Sequence, residues 1–326
     1  MNEIMTMGVV TLLTSWILTV IIMPVFIPVL HKFKFGQSIR EDGPQSHLKK
    51  QGTPTMGGIA FVLSTMITML ILRPGFLASP NGLAITIVFL GYFAIGLADD
   101  MLIVIKKQNE GLSPKAKLAL QCLVTIVLVV VYPGRFFDPN YTNITLFYGI
   151  SINLHYIYIL FALIMFVGYS NAINFTDGLD GLSSITVAIA LGFMAIIAYD
   201  QQQSVVLLYI CALIGGLLGF YIFNKKPAKI FMGDTGSLAL GGFYAVVALL
   251  LKVEILSLII GMVFVVEMAS VVIQILYFKK TGKRIFRMAP IHHHFEMGTL
   301  KEQGTVFMMY IFGLLFGLLG MVLYFV

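Results

Sequence analysis

Charge is what this sequence lacks. Only 11% of its 326 residues are charged, while 59% are hydrophobic. A soluble domain carries about 25% charged residues. A globule of this size would need a polar coat that the chain cannot supply, so a water-soluble fold is excluded. Cysteine is nearly absent as well. The two present, Cys122 and Cys211, each lie in an apolar run. That excludes a disulfide or zinc framework built on cysteine and makes both core residues. No cleavable leader is expected either. The first apolar run is too long, its positive charges follow it, and it has no small-residue cleavage site.

What the chain has instead is apolar length. Runs long enough to span a bilayer, about 17 to 25 residues, lie near 7–30, 57–72, 83–98, 116–132, 154–170, 183–199, 203–223, 237–253, 255–278 and 304–325. The expected fold is an all-α integral membrane protein of about ten transmembrane helices, forming one polytopic domain over 1–326. The second and third runs are short, and the join around Lys252 and Glu254 is tight.

The positive charges test this count. One set of alternate loops holds 18 of the 21 Lys and Arg, and the other holds only Arg73, Arg135 and Lys252. The positive-inside rule places the rich set in the cytoplasm and both termini outside. The net charge of +6 is thereby explained without nucleic acid. The one long outer loop, Asn140 to Asn153, is expected to form a small β-hairpin around Tyr148-Gly149.

The acidic residues gather on the cytoplasmic side. Asp99-Asp100 end the third run. Asp177 and Asp180 lie in Asn171-Ala-Ile-Asn-Phe-Thr-Asp-Gly-Leu-Asp-Gly181, and Asp234 in Phe231-Met-Gly-Asp-Thr-Gly-Ser237. On the outer side Glu3, Asp138, Asp200 and Glu254 show no clustering. Interfacial carboxylates are costly unless paired with cations or a metal. They favour hard ions such as Mg²⁺, which takes its remaining ligands from water and substrate phosphates. Phosphoryl transfer uses that arrangement.

Three further features sit on the same side. Gln51-Gly-Thr-Pro-Thr-Met-Gly-Gly58 follows Lys49-Lys50 and offers N–H groups and hydroxyls to an anion, yet it matches no Walker motif. Pro290-Ile-His-His-His-Phe-Glu296 suits phosphate hydrogen bonding or proton transfer. Three adjacent histidines do not readily surround one tetrahedral zinc. Glu267, Ser270 and Gln274 share one face of the ninth run. A carboxylate inside a span is either functional or an interhelical hydrogen-bonding group.

Taken in order, these motifs resemble the polyprenyl-phosphate N-acetylhexosamine-1-phosphate transferases over essentially the whole chain. The resemblance rests on Lys49-Lys50 with Thr53 to Gly58, Ala98-Asp-Asp100, Asn174 to Gly181, Phe231 to Ser237, and Pro290 to Glu296. The last motif resembles the branch that transfers phospho-N-acetylmuramoyl-pentapeptide. Relatives using N-acetylglucosamine arrange their histidines differently. The resemblance implies a membrane-embedded homodimer with a Mg²⁺-dependent cytoplasmic site. It implies transfer of that group from its uridine diphosphate carrier to undecaprenyl phosphate, giving lipid I and UMP for peptidoglycan.

In that frame Asp99, Asp100, Asp234, His292, His293 and His294 are the expected catalytic residues, and Asp234 and Asp177 the expected metal ligands. Lys50, Lys115 and Lys117 are expected phosphate clamps. Thr55, Asn174, Asp177, Asp180, Asn224, Phe231, Ser237 and Gln274 are expected to contact substrate. One-step displacement and a two-step route through an aspartyl-phosphate both remain open. A transporter would place its polar groups near the midplane in related halves, and a scaffold would not need five gathered aspartates.

Overall fold

A computed structural model describes residues 2–32, 52–106, 111–139, 141–145 and 150–326. Lys49 and Lys50 lie outside the described residues. In chain order the elements are α1 (Asn2–Lys32), α2 (Gly58–Leu72), α3 (Pro80–Lys106), α4 (Pro114–Val131), the single turn α5 (Gly134–Phe137), β1 (Asn143–Thr145), β2 (Ser151–Asn153), α6 (Ile157–Thr176), α7 (Leu182–Asp200), α8 (Ser204–Asn224), α9 (Gly233–Leu250), α10 (Glu254–Ile260), α11 (Met262–Thr281), α12 (Ile291–Phe295) and α13 (Lys301–Phe325). β1 and β2 pair antiparallel with Ile144 opposite Ile152, as the two strands of the expected hairpin do; its Tyr148-Gly149 turn lies outside the described residues.

Among the described residues, nine helices are long and apolar enough to cross a membrane, with 291–325 counted as one unit. All ten expected runs return as apolar helices. The exception in length is α2, whose 15 residues reach about 22 Å, short of a hydrocarbon core of about 30 Å. Two expected boundaries move. α3 runs on past Asp99-Asp100 to Lys106, because Met101 to Ile105 continue the apolar pattern; the aspartates sit inside the helix and do not end it. The ninth run divides at Gly261 into α10 and α11.

α9 is the centre of the bundle. Every residue from Thr235 to Leu250 is buried, with α3 and α6 packed on either side. α1 shows the opposite pattern. Val9, Leu13, Ile17, Ile21 and Val25 are exposed, while Thr11, Ser15 and Thr19 on the other face are buried where α1 meets α8. Thr11 and Thr19 donate to carbonyls four residues back, at 2.7 and 2.9 Å. On a spanning helix the apolar outer face meets lipid, and polar groups turn inward to be satisfied.

The 18 residues of α9 extend about 27 Å, so Asp234 and Lys252 mark opposite ends of the molecule. At the Lys252 end a single acid, Glu254, joins a network of a lysine and two tyrosines, with Arg135 beside it. The Lys252 Nζ donates to Glu254 Oε1 at 2.7 Å, to the Tyr158 hydroxyl at 3.1 Å and to the Tyr141 carbonyl at 2.8 Å. The Tyr158 hydroxyl donates to the same Glu254 oxygen at 2.6 Å, and the Arg135 guanidinium lies 4.4 Å from the centre of the Tyr141 ring. These residues are remote in sequence, and only the bundle brings them together.

Candidate active site

The other end of α9 is built around its unpaired N–H groups. A helix leaves its first backbone donors without internal partners. Asp100 supplies the missing acceptor from α3: its carboxylate accepts from Asp234 N at 3.2 Å, Thr235 N at 2.9 Å and Thr235 Oγ1 at 2.6 Å. Gly233 enters the helix at φ +73°, a conformation suited to glycine. A side chain there would also collide with the Asp100 carboxylate and Thr55 Oγ1. Gly96 lets α3 lie directly against the backbone of Asp234 and Thr235. The segment around Thr55 is tied to the same place. Phe231 N donates to Pro54 O at 2.8 Å, Gly57 N to Phe231 O at 2.9 Å, and Gly58 N to Met232 O at 3.0 Å. The segments around Thr55 and Asp100, each over a hundred residues before Asp234, therefore meet the start of α9, the first through main-chain bonds and the second through its carboxylate.

Side chains complete the cluster. Ser113 caps α4 by accepting from Ala116 N at 3.2 Å, with Pro114 at the first helical position. This start sets Lys117 one turn into α4. Its Nζ lies 2.6 Å from Asp234 Oδ2 and 3.1 Å from Asp99 Oδ1. Asp99 Oδ1 also accepts from Leu112 N at 2.8 Å. The Asn174 amide donates to Asp234 Oδ1 at 2.7 Å and to Ser237 Oγ at 2.8 Å. Carboxylate oxygens of Asp99, Asp100 and Asp234 lie within 4.8 Å of one another. Three carboxylates against one ammonium leave an excess of negative charge, and an all-oxygen donor set of this kind suits a hard divalent cation. Mg²⁺ therefore fits the residues present.

Asp177 stands beside this trio and outside it. It caps the C-terminus of α6. Burial, then the negative charges of Asp234, Asp100 and Asp180, hold its carboxyl well above the usual carboxylate range. Lys115 is exposed on α4 and has no described contact with the cluster. Two residues along a helix turn the side chain by about 200°, so Lys117 faces the aspartates and Lys115 does not.

Several expected substrate contacts also make hydrogen bonds within the fold. The Asn224 Oδ1 accepts from Gly181 N at 3.1 Å and Ser184 Oγ at 3.0 Å, and its amide donates to Ile230 O at 3.0 Å. The Gln274 Oε1 accepts from Ile285 N at 3.0 Å and Phe286 N at 3.1 Å, and its amide donates to Phe286 O at 3.1 Å. The Asp180 Oδ2 accepts from Ala228 N at 3.0 Å. Beside Asp180 a cleft of about 330 Å³ opens between Tyr221, Lys226, Glu302 and Tyr310, with Lys226 and Glu302 paired at 2.6 Å. Phe231 is half-buried, its main chain paired as above.

The three histidines all lie on α12, each ring held through Nδ1 by a different partner. His292 Nδ1 is 3.0 Å from Glu267 Oε2, His293 Nδ1 is 3.1 Å from Glu296 Oε2, and His294 Nδ1 accepts from Arg287 N at 3.1 Å. The set does not converge as zinc ligands would. His292 Nε2 rests against the Cα of Gly178, next to Asp177, which links the histidine motif to the acidic one. Sequence reasoning missed Thr235, Glu302 and the Leu112 N–H. Only the threonine, directly after Gly233-Asp234, carried any local signal.

Comparison with known proteins agrees with this architecture. Residues 82–252 match the family described as glycosyl transferase family 4. Residues 50–62 match the phospho-N-acetylmuramoyl-pentapeptide-transferase signature 1. The chain is 47% identical over 317 residues to the phospho-N-acetylmuramoyl-pentapeptide-transferase of Geobacillus sp. (strain WCH70), covering 96% of each. It is 46% identical over 312 residues to the Bacillus subtilis (strain 168) protein of that name, covering 95% of each. On this similarity along nearly its full length, the chain belongs to the phospho-N-acetylmuramoyl-pentapeptide-transferase family.

Proposed function

We propose that this chain transfers phospho-N-acetylmuramoyl-pentapeptide from its uridine diphosphate carrier to undecaprenyl phosphate, forming lipid I and UMP in peptidoglycan synthesis. The observation that carries the reading is the Asp99, Asp100 and Asp234 trio, with Lys117 between two of its members, at one end of a helix bundle of membrane-spanning length. One substrate is nucleotide-linked and soluble and the other is a lipid, so the reaction needs a polar site at a membrane boundary.

In this reading a phosphate oxygen of the lipid attacks the phosphorus that carries the sugar. A P–O bond forms there, the bridging P–O bond to uridylate breaks, and its electron pair leaves on UMP. A phosphate monoester has a second pKa of about 6, so the nucleophile is mostly ionised at neutral pH and needs positioning more than a base. Asp100 is occupied with the α9 N–H groups and acts by holding Asp234 in place. Asp99 engages the chain through Oδ1 alone among the described contacts, so its Oδ2 is assigned to orient the lipid phosphate and take any remaining proton. Lys117 offsets charge on the phosphates. Mg²⁺, when held by Asp234 with Asp99 and Asp177 alongside, supplies neutralisation of the diphosphate oxygens.

Asn174 and Ser237 hold the Asp234 carboxylate in orientation. Lys50 and Thr55 serve the phosphates, Asp180 the nucleoside side, the Phe231 ring the uracil, and the histidines the sugar-phosphate end. The site faces the cytoplasm, both termini lie outside, and the protein acts as a homodimer in the bacterial cell membrane.

Purified protein assayed with undecaprenyl phosphate and either the N-acetylmuramoyl-pentapeptide or the N-acetylglucosamine nucleotide tests the reading. Lipid I from the first donor and none from the second is expected; the reverse overturns it. A stoichiometric burst of UMP without lipid phosphate would overturn the single displacement. Cysteine labelling in sealed vesicles tests the sidedness, and mass measurement in nanodiscs tests the dimer.

A further inference from the structure

We propose that Glu267 is a positioning residue for His292: it keeps the imidazole proton on Nδ1, so that Nε2 is the ring nitrogen left to meet the transferred group. The inference rests on the reading of His292 as part of the transfer site.

Glu267 lies in the second turn of α11, a helix of membrane-spanning length, and is fully buried. A carboxyl group in such a place costs several kcal/mol unless it is used. Its Oε2 meets His292 Nδ1 at 3.0 Å. Its Oε1 has no partner, and neither has His292 Nε2, among the described residues. Two fully buried polar atoms of one pair are therefore left open. A buried polar atom without a partner calls for an explanation, and a group that arrives only with the substrate provides one.

The polarity follows from the pair. A carboxylate only accepts, so the hydrogen between Glu267 Oε2 and His292 Nδ1 belongs to the ring nitrogen. Nδ1 then donates and Nε2 of the neutral ring carries the lone pair. That atom accepts from a hydroxyl or amide N–H, which is the chemistry of an N-acetylated sugar. His294 is set the opposite way. Its Nδ1 accepts from Arg287 N at 3.1 Å, so its Nε2 bears the hydrogen and suits a phosphate oxygen. Glycine at 178 puts no side chain on the acceptor; a Cβ at that position would fall on His292 Nε2.

The test uses full-length protein in nanodiscs, labelled with ¹⁵N-histidine, with the His292 signals assigned by their loss in His292→Gln. The wild type is expected to show a protonated Nδ1. Glu267→Gln retains an acceptor for that hydrogen and should keep the tautomer and most of kcat. Glu267→Leu should let the tautomers mix and lower kcat about 10- to 100-fold, as loss of an orienting partner does, with KM for the nucleotide substrate within about two-fold. A proton on Nε2 alone in the wild type overturns the proposal. So does an unchanged kcat in Glu267→Leu. If that variant does not fold, the wild-type tautomer and Glu267→Gln still decide. If the wild type makes no lipid I, the proposed function fails while the ¹⁵N signals still read the role of Glu267.

Discussion

Replacing Asp100 by Asn separates the two neighbouring aspartates. The Asp100 carboxylate accepts three hydrogen bonds at the start of α9. An asparagine offers one oxygen and turns an amide toward a remaining N–H, leaving one donor unsatisfied at about 1 to 3 kcal/mol. The surviving bonds lose their charge-assisted part, from about 1.5 to 3 kcal/mol down to about 1 each. Relief of repulsion from Asp234 offsets some of this, so a net loss of about 2 to 4 kcal/mol is expected. Asp234 stands on that first turn, and a displacement of about 1 Å at a reacting centre lowers the rate about 100-fold. Asp99→Asn should differ. Its amide oxygen still accepts from Leu112 N, so it should unfold near the wild type while turnover falls. The assay is unfolding in mixed micelles beside lipid I formation for both variants, with Thr235→Val as an intermediate case that removes only the hydroxyl donor. Equal stability of Asp100→Asn and wild type, or equal destabilisation of the two Asn variants, would refute the division of roles.

Three further outcomes are expected. Lys117→Met removes the ammonium between Asp99 and Asp234 and should lower kcat/KM about 100- to 1,000-fold, the usual effect of losing a charge-stabilising donor, measured by UMP release; Lys115→Met should fall far less. Asp177 is held above the usual carboxylate range, so the folded chain keeps a proton that the unfolded chain has released. Stability without Mg²⁺ should therefore fall as pH rises from the ordinary carboxylate range through the elevated one. Unfolding across that window in EDTA should show a flatter slope for Asp177→Asn; an identical slope would contradict the assignment. Glu254→Gln leaves the Lys252 ammonium without its counter-charge at a buried acid whose partner keeps partial solvent access. A loss of about 1 to 3 kcal/mol is expected with kcat nearly unchanged, since the cluster lies at the far end of α9; a loss of kcat without a loss of stability would show that the ends communicate.

Much of this protein was legible along the chain. Ten apolar runs, alternating positive loops and acids gathered at one end are local properties, because the length needed to cross a bilayer and the charge beside it are set within some twenty residues. The polar motifs could be placed on their segments for the same reason. What each residue in a motif does was decided elsewhere. Asp99 and Asp100 are neighbours with the same side chain, yet only Asp100 meets the α9 N–H groups, because Gly96 lets that helix approach. Lys115 and Lys117 differ by a rotation that matters only once α4 is docked. Asn224 and Gln274 give no sign in the sequence of the groups, backbone N–H and C=O and the Ser184 hydroxyl, that the chain brings back to their amides. Lys252 and Glu254 looked like stray outer charges until Tyr158 and Tyr141 closed on them. Composition and periodicity determine which segments enter the membrane and which end is polar; hydrogen bonds and ion pairs reach only a few ångströms, so the partner of each polar atom exists only after the helices have packed.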